Sequence, residues 1–200
     1  MAFIRTVDPS ESEGDVRAMF ERQQDSWGFI PNYAKIFSHR PEVLARWGRL
    51  LAEIRRPMED QRFELATFAA AHQLKNSACT LEHGKQLGRI IGREAVLALG
   101  RGEACPELSA VDMAIAAYAR KIADDASAIT AEDVEELRTH GLSDTEIFDI
   151  AAAAAGRAFF TKLLDALGVQ PDAAANNIDD SFKIPLTVGR PISSDEAEYL

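Results

Sequence analysis

Apolar side chains recur every three or four residues along most of the chain, which is the spacing that places them on one face of an α-helix. The clearest stripe of apolar residues begins near Pro41 and ends at Pro57. Proline is tolerated in the first turn of a helix, but a proline further along the chain ends the helix. Similar stripes predict helices at about residues 12–27, 31–37, 59–73, 77–91, 94–99, 110–124, 130–140 and 143–167. The pattern therefore predicts an all-α bundle.

Several predicted helices also carry start signals. Thr130 and Ser143 each stand three residues before an acidic residue, which is the pattern of a capping box. Alanines at 151–155 leave little side-chain bulk and predict close approach by a neighbouring helix. The stretch 100–108 is the best internal linker, so residues 1–168 are expected to form one helical domain with a weak division there.

The last segment, residues 169–200, is rich in Asn, Asp, Pro and Ser and has no helical period. A few of its apolar residues alternate with other residues as they would in a strand, namely Phe182, Ile184, Leu186 and Val188. We interpret the segment as an irregular C-terminal arm that lies across the domain or a partner subunit. Solvent-exposed disorder is the alternative.

Composition limits the partners that the protein can have. With 22 basic against 32 acidic residues, the net charge is −10, which repels phosphate backbones and argues against binding to nucleic acid. The N-terminus lacks the features of a signal peptide and no apolar stretch reaches membrane-spanning length, so we expect no membrane association and a cytoplasmic location. Two cysteines, Cys79 and Cys105, are too few for a disulfide scaffold and are expected to be reduced.

Candidate chemistry concentrates in residues 63–83, FELATFAAAHQLKNSACTLEH, where one predicted helix ends at a polar break and another begins. Either Asn76 or Ser77 can cap the second helix, which places Cys79 in its first turn. Unpaired backbone N–H groups and the positive end of the helix dipole favour a thiolate there. Cys79 is therefore expected to be more acidic and reactive than a free thiol.

Two further residues of this stretch could act with Cys79. His83 follows one helical turn later on the same face and can take the thiol proton. Glu64 lies on the preceding helix and could orient His83 or relay its proton, provided that the two helices fold back on each other. A carboxylate in so apolar a run is either on the solvent face or buried with a partner.

Less specific interpretations are also open. A cysteine in an apolar helix is commonly a small buried hydrophobic residue, and a single histidine is commonly structural. Cys79, His83 and His72 are potential metal ligands, but no CxxC or HxxxH cluster completes a site. We therefore expect neither a metal nor a cofactor.

The spacing of Glu64, Cys79 and His83 occurs between two further segments, GFIPNYAKIFSHRPEVLARW upstream and GLSDTEIFDIAAAAAGRAFFTKLLDALGV downstream. Together they resemble the alkylhydroperoxidase AhpD-like and carboxymuconolactone decarboxylase superfamily, and more closely its peroxidase-related branch. The resemblance covers about residues 27–169. It implies an AhpD-like helical bundle, a helical hairpin around the site, and assembly as a homo-oligomer, either dimer, trimer or hexamer.

The sequence departs from that family at one position. Redox-active members have a glutamate followed by Cys-x-x-Cys-x-x-x-His, whose two cysteines cycle between dithiol and disulfide. Here Glu64, Cys79 and His83 match that pattern, whereas Asn76 occupies the position of the first cysteine. Asn76 cannot resolve a sulfenic acid, so a two-cysteine cycle within the motif is excluded. A resolving thiol would have to come from Cys105, another subunit or an external reductant.

Three functions follow as hypotheses. The first is an alkylhydroperoxidase of peroxiredoxin type, an antioxidant enzyme that works with Cys79, His83 and Glu64 on a hydroperoxide and an external thiol. The second is a cofactor-free lyase like the lactone decarboxylases, in which Arg62 or His72 could bind a carboxylate. In either enzyme His72 and Asn76 are weak candidates for substrate contacts. The third is a non-catalytic oligomeric helical protein with an inert Cys79.

Overall fold

The computed structural model describes residues 2–103 and 105–195. Within these residues the chain forms ten α-helices, together with short 3₁₀ turns at Pro9–Glu11, Ala126–Ala128 and Ala173–Asn177. The α-helices are α1 (Gly14–Trp27), α2 (Asn32–Phe37), α3 (Pro41–Arg55), α4 (Asp60–Gln73), α5 (Ser77–Ile91), α6 (Arg93–Arg101), α7 (Ala110–Asp125), α8 (Ala131–Thr139), α9 (Asp144–Ala166) and α10 (Asp180–Leu186). The helices α1 to α9 agree with the predicted ones to within two residues at each end.

Helix α4 lies at the centre of the bundle. Nine consecutive residues, Phe63 to Ala71, are buried, so this helix is covered on all sides. It packs against α5, α7 and α9. Small residues such as Ala66, Ala69 and Ala70 allow these neighbours to approach closely. A polar group within residues 63–71 is therefore buried wherever it points, which bears directly on Glu64.

The helix boundaries follow the predicted capping chemistry. Capping boxes are present at Thr130 and at Ser143, and a third at Ser109 opens α7. The break between α4 and α5 falls where the sequence predicts it, and Asn76, rather than Ser77, caps α5. The preceding Lys75 adopts a positive φ of 56°, a conformation that turns the chain sharply between the two helices.

Two clusters of buried side chains form the core. The larger one includes residues from both sides of the stretch 100–108, such as Leu99 and Ile115. Cys105 is itself buried in this larger cluster. The smaller one joins α1, α2 and α3 to α9 and includes Phe37, Cys79 and Phe160, with Trp47 packed against it. Residues before and after the stretch 100–108 therefore share one core.

The C-terminal segment differs from the strand that its alternating residues predict. Residues Asp180–Leu186 form α10, which packs on α5 and α6. Phe182 and Leu186, four residues apart, are buried, whereas Ile184 between them is 67% exposed. That is the helical spacing, so the strand interpretation is wrong. The predicted arm extends to residue 200, and its last five residues lie outside the described part of the chain.

No helix among the described residues has both the length and the apolar character needed to cross a membrane.

Candidate functional site

The turn between α4 and α5 fixes the position of Cys79. The side-chain oxygen of Asn76 accepts a hydrogen bond of 2.9 Å from the backbone N–H of Cys79. The amide nitrogen of the same Asn76 donates to Asp165 on α9, also at 2.9 Å. Because Asn76 is buried and both ends of its amide are used, it connects the first turn of α5 to α9.

Glu64 and His83 form a buried pair across the α4–α5 hairpin. The Oε2 atom of Glu64 lies 2.7 Å from Nδ1 of His83. Glu64 is only 3% exposed. The sequence allowed either a place on the solvent face or a buried place with a partner, and the structure has the second. A second contact joins its Oε1 to the guanidinium of Arg55 at 3.7 Å.

The neighbours of His83 also fix its tautomer. Thr67 lies with its hydroxyl oxygen 3.2 Å from Nδ1 of His83, but that hydroxyl donates its hydrogen to the backbone carbonyl of Phe63 at 2.7 Å. The two groups that face Nδ1, the Thr67 oxygen and the Glu64 carboxylate, therefore both accept a hydrogen bond. Nδ1 must carry the proton, which leaves Nε2 of the neutral ring free to accept one.

The charge state of His83 results from opposing effects. Burial lowers its pKa below the ordinary value, and the positive charge of Arg157 lowers it further, while the hydrogen bond that His83 donates to Glu64 raises it. Burial has the largest effect, so the ring is neutral near pH 7. A neutral imidazole with a free Nε2 can act as a general base.

Arg157, a residue that the sequence analysis did not select, lies beside the sulfur. It comes from α9, and its Nη1 is 3.6 Å from Sγ of Cys79. The side chain is 4% exposed and lies over the rings of Trp47 and Phe160, with its Cζ 5.6 Å from each ring centroid. The available signal was an arginine two residues after the alanine run 151–155, on a helix predicted to be buried, where a charged side chain is costly unless it is compensated.

The expectation that Cys79 is unusually acidic is wrong. Cys79 is 5% exposed, and this burial raises the pKa of its thiol above the ordinary value. Arg157 opposes the shift by its charge and by its hydrogen bond, but only in part. Loss of hydration therefore outweighs the favourable position in the first helical turn. The resting residue is a thiol, and forming the thiolate requires a base.

Glu64, Cys79, His83 and Arg157 all line one cavity of about 530 Å³. Aromatic rings form part of its wall. Trp47 stacks on Phe160 with ring centroids 4.2 Å apart, and further rings come from Trp27, Phe29 and Tyr33. A cavity of this size with apolar walls and a few polar groups is typical of a small-molecule site.

The other sequence candidates lie elsewhere. Asn76 and His72 are not among the residues that line the cavity. Asn76 instead holds the hairpin, and the His72 ring packs against Phe68 with centroids 5.7 Å apart. Arg62 binds Glu146 at 2.6 Å. Cys105 belongs to the larger core cluster and does not line the cavity, so it is not placed to resolve an oxidised Cys79.

Among the described residues, no three or more His, Cys, Asp or Glu side chains are grouped so that they could hold a metal ion.

The arrangement is that of an all-α protein with a cysteine, a histidine and a glutamate in one cavity, and comparison with solved structures identifies the fold. An alkylhydroperoxidase AhpD core protein from Ralstonia eutropha JMP134, described as peroxidase-related, superposes with a TM-score of 0.71 at 21% identity, covering 94% of this chain and 98% of that one. A peroxidase-related protein from Silicibacter sp. TM1040 gives a TM-score of 0.70 at 20% identity, with 85% and 93% covered. The chain therefore has the AhpD-like fold, which confirms the fold prediction.

A third similar structure is the debrominase Bmp8, in a cysteine-to-alanine variant bound to 2,3,4-tribromopyrrole. Its TM-score is 0.69 at 17% identity, over 86% of this chain and 92% of that one. No protein-family model matches the sequence, and no curated protein matches it.

Proposed function

We propose that the protein is a thiol-dependent oxidoreductase that reduces hydroperoxides with Cys79 as its only motif cysteine. One observation carries the proposal: a cysteine shares a largely apolar cavity with a histidine that has a free Nε2 and is held by a buried glutamate. This is the set of groups that an activated nucleophile needs.

In the proposed reaction, His83 takes the proton of Cys79 and Arg157 stabilises the thiolate that forms. The sulfur attacks the distal oxygen of the hydroperoxide and the O–O bond breaks. The imidazolium returns its proton to the leaving alkoxide, so the products are a Cys79 sulfenic acid and an alcohol. Glu64 stabilises the transient positive charge on His83 and keeps the ring oriented.

An external thiol completes the cycle. Its sulfur displaces water from the sulfenic acid and forms a mixed disulfide with Cys79. A second thiol then releases the free cysteine and a small disulfide. One hydroperoxide and two thiols thus give one alcohol, one water and one disulfide. An external donor is needed because Asn76 replaces the first cysteine of the motif and Cys105 is buried away from the cavity.

The first test compares two cysteine variants. With cumene hydroperoxide as substrate and dithiothreitol as reductant, Cys79→Ser is expected to abolish hydroperoxide consumption, and Cys105→Ser to retain it. Peroxide added to the wild type without reductant should add one oxygen atom to the peptide that contains Cys79, as measured by mass spectrometry. Full activity in Cys79→Ser would refute the mechanism.

A second candidate is reductive dehalogenation. It is favoured by the likeness to a debrominase that binds a brominated pyrrole and by the aromatic walls of the cavity, which suit a flat ring. Carbon–bromine cleavage would again need two thiols, yielding the hydrogen-substituted ring, bromide, a proton and a disulfide. Bromide release from 2,3,4-tribromopyrrole in the presence of dithiothreitol, measured by ion chromatography, tests it. No bromide from the wild type would refute this candidate.

A further inference from the structure

Arg157 is a buried cation without an acidic partner among the described residues. Within residues 2–103 and 105–195 its only hydrogen bond is the one to Cys79, whose sulfur is a weak acceptor. Its Nε atom is buried and has no acceptor in the same part of the chain. The contacts with the Trp47 and Phe160 rings offset some of the lost hydration. An unpaired guanidinium in such a place is costly to folding, so a role for its charge is expected.

The acidic groups of the cavity do not provide that partner, because each is already bound elsewhere. Glu64 bonds to His83. Glu82 pairs with Lys85 at 2.7 Å. Asp172 accepts a hydrogen bond of 2.6 Å from the backbone N–H of Asn32. Arg157 is thus a cation that lines the cavity and has no negatively charged partner among the described residues.

The thiol of Cys79 does not balance the charge in the resting protein either. Burial raises its pKa and keeps it neutral. The cavity is also far larger than a cysteine side chain requires, and its aromatic surface lies next to the guanidinium. The other two cations that line the cavity, Arg55 and Lys85, are paired with Glu64 and Glu82. A molecule that fills the cavity would therefore meet the Trp47 and Phe160 rings beside the unpaired guanidinium of Arg157.

We propose that the cavity binds an organic anion whose aromatic or other apolar body lies against Trp47 and Phe160 and whose carboxylate pairs with Arg157. This inference names the substrate class of the proposed oxidoreductase, a hydroperoxide that carries a carboxylate, and in that respect it rests on the proposed function. Arginine binds carboxylates through parallel hydrogen bonds. In this proposal Arg157 takes the role of carboxylate ligand that the sequence suggested for Arg62 or His72. Neither of those two residues lines the cavity.

Binding without turnover tests the inference. Isothermal titration calorimetry would compare 2-naphthoate with its neutral isostere, 2-naphthamide. Wild type is expected to bind the acid at least about tenfold more tightly than the amide. A hydrogen bond between charged groups contributes more to the binding free energy than one to a neutral amide. Arg157→Gln should remove this preference. Arg120→Gln should keep it, because Arg120 is another partly buried arginine that donates to the Leu99 carbonyl and lies outside the cavity.

Two further measurements guard against misfolding of the glutamine variant. Arg157→Lys keeps the charge without the planar fork and should retain part of the preference. In the wild type, 2-naphthoate but not 2-naphthamide should slow the labelling of Cys79 by iodoacetamide. Equal affinity for acid and amide, no binding of either, or an unchanged preference in Arg157→Gln would overturn the inference.

The same titration separates this inference from the proposed function. Cys79→Ser should keep the preference for the acid while losing hydroperoxide turnover. If wild type prefers the acid but reduces no hydroperoxide, the proposed reaction fails and the anion site stands. If the wild type reduces cumene hydroperoxide but shows no preference for the acid, the anion site fails and the proposed reaction stands.

Discussion

Glu64 is the residue whose environment most constrains the chemistry. A carboxylate at the centre of a bundle is tolerated only when hydrogen bonds and nearby charges replace the water that it has lost. His83 and Arg55 provide this compensation. In the proposed mechanism Glu64 acts on the substrate through His83 and is therefore a positioning residue, so its effect should be visible in the pH dependence of the reaction.

Replacement of Glu64 by Gln should lower the rate and shift its pH dependence. Glu64 raises the pKa of His83, so removal of its charge should lower that pKa further. Since the proposed mechanism uses unprotonated His83 as the base, the acidic limb of the kcat/KM profile should move to lower pH. The plateau should fall by about 10²-fold, because the remaining base is weaker and less well oriented.

The control for that profile is Glu53→Gln, which removes an exposed carboxylate that pairs with Arg56 at the surface end of α3. It should leave both the plateau and the limb unchanged. An acidic limb at the same pH in Glu64→Gln and in the wild type would show that Glu64 does not act through His83.

The acidity of Cys79 can be measured directly. In a Cys105→Ser background, the rate of iodoacetamide labelling against pH reports the Cys79 thiolate. Because burial raises this pKa, the midpoint should lie above the ordinary cysteine value of about 8.5. Arg157→Gln should move it higher still, since the guanidinium favours the thiolate. A midpoint below the ordinary value would instead support the helix-terminus argument made from the sequence.

At the scale of elements, the C-terminal segment supports the hairpin that carries the site. The backbone N–H of Gly189 donates to the hydroxyl of Ser77, the first residue of α5, at 2.8 Å. Arg190 donates to the backbone carbonyl of Asp165 on α9 at 2.9 Å. The segment after α10 therefore holds together the same two helices, α5 and α9, that bring Cys79 and Arg157 into contact.

Gly189→Ala should release this segment. A Cβ atom at position 189 would overlap with the backbone carbonyl oxygen of Lys75, and backbone at such a turn cannot move cheaply. We expect a loss of about 1–3 kcal/mol in the free energy of unfolding. Limited proteolysis should also cut the segment faster than in the wild type. The measurement is urea unfolding followed by circular dichroism.

Gly48→Ala is the matched control for that substitution. Position 48 lies within α3 and has open space around an added Cβ. Alanine is favoured over glycine inside a helix, so this variant should gain about 0.5–1 kcal/mol. If both variants shift stability alike, the close approach of Gly189 to Lys75 is not important in solution.

For the whole molecule, the shared core predicts cooperative unfolding. Both tryptophans, Trp27 and Trp47, line the cavity, so their fluorescence reports the site, whereas circular dichroism reports all helices. The two urea transitions should coincide, because α4 packs against helices before and after the stretch 100–108. A fluorescence transition at clearly lower urea concentration would instead indicate that the region around the cavity unfolds before the rest of the helices.

The sequence predicts most of the fold because the signals for helices are local. Helical spacing, the capping boxes at Thr130 and Ser143, and the break at Asn76 each depend on residues within a turn or two of one another. The same local signals are weak in the C-terminal segment. There the contacts of Phe182 and Leu186 with α5 and α6 favour a helix over the alternation that predicted a strand.

By itself the sequence determined that Glu64, Cys79 and His83 stand on successive helices, and that Asn76 excludes a second thiol next to Cys79. Only the tertiary structure decided what surrounds them. Arg157 reaches Cys79 across 78 positions of the chain, and burial in the smaller core cluster raises the pKa that the helix terminus was expected to lower. Hydration is lost to the whole set of packed neighbours, so the charge state of a buried group follows from the assembled fold rather than from local spacing.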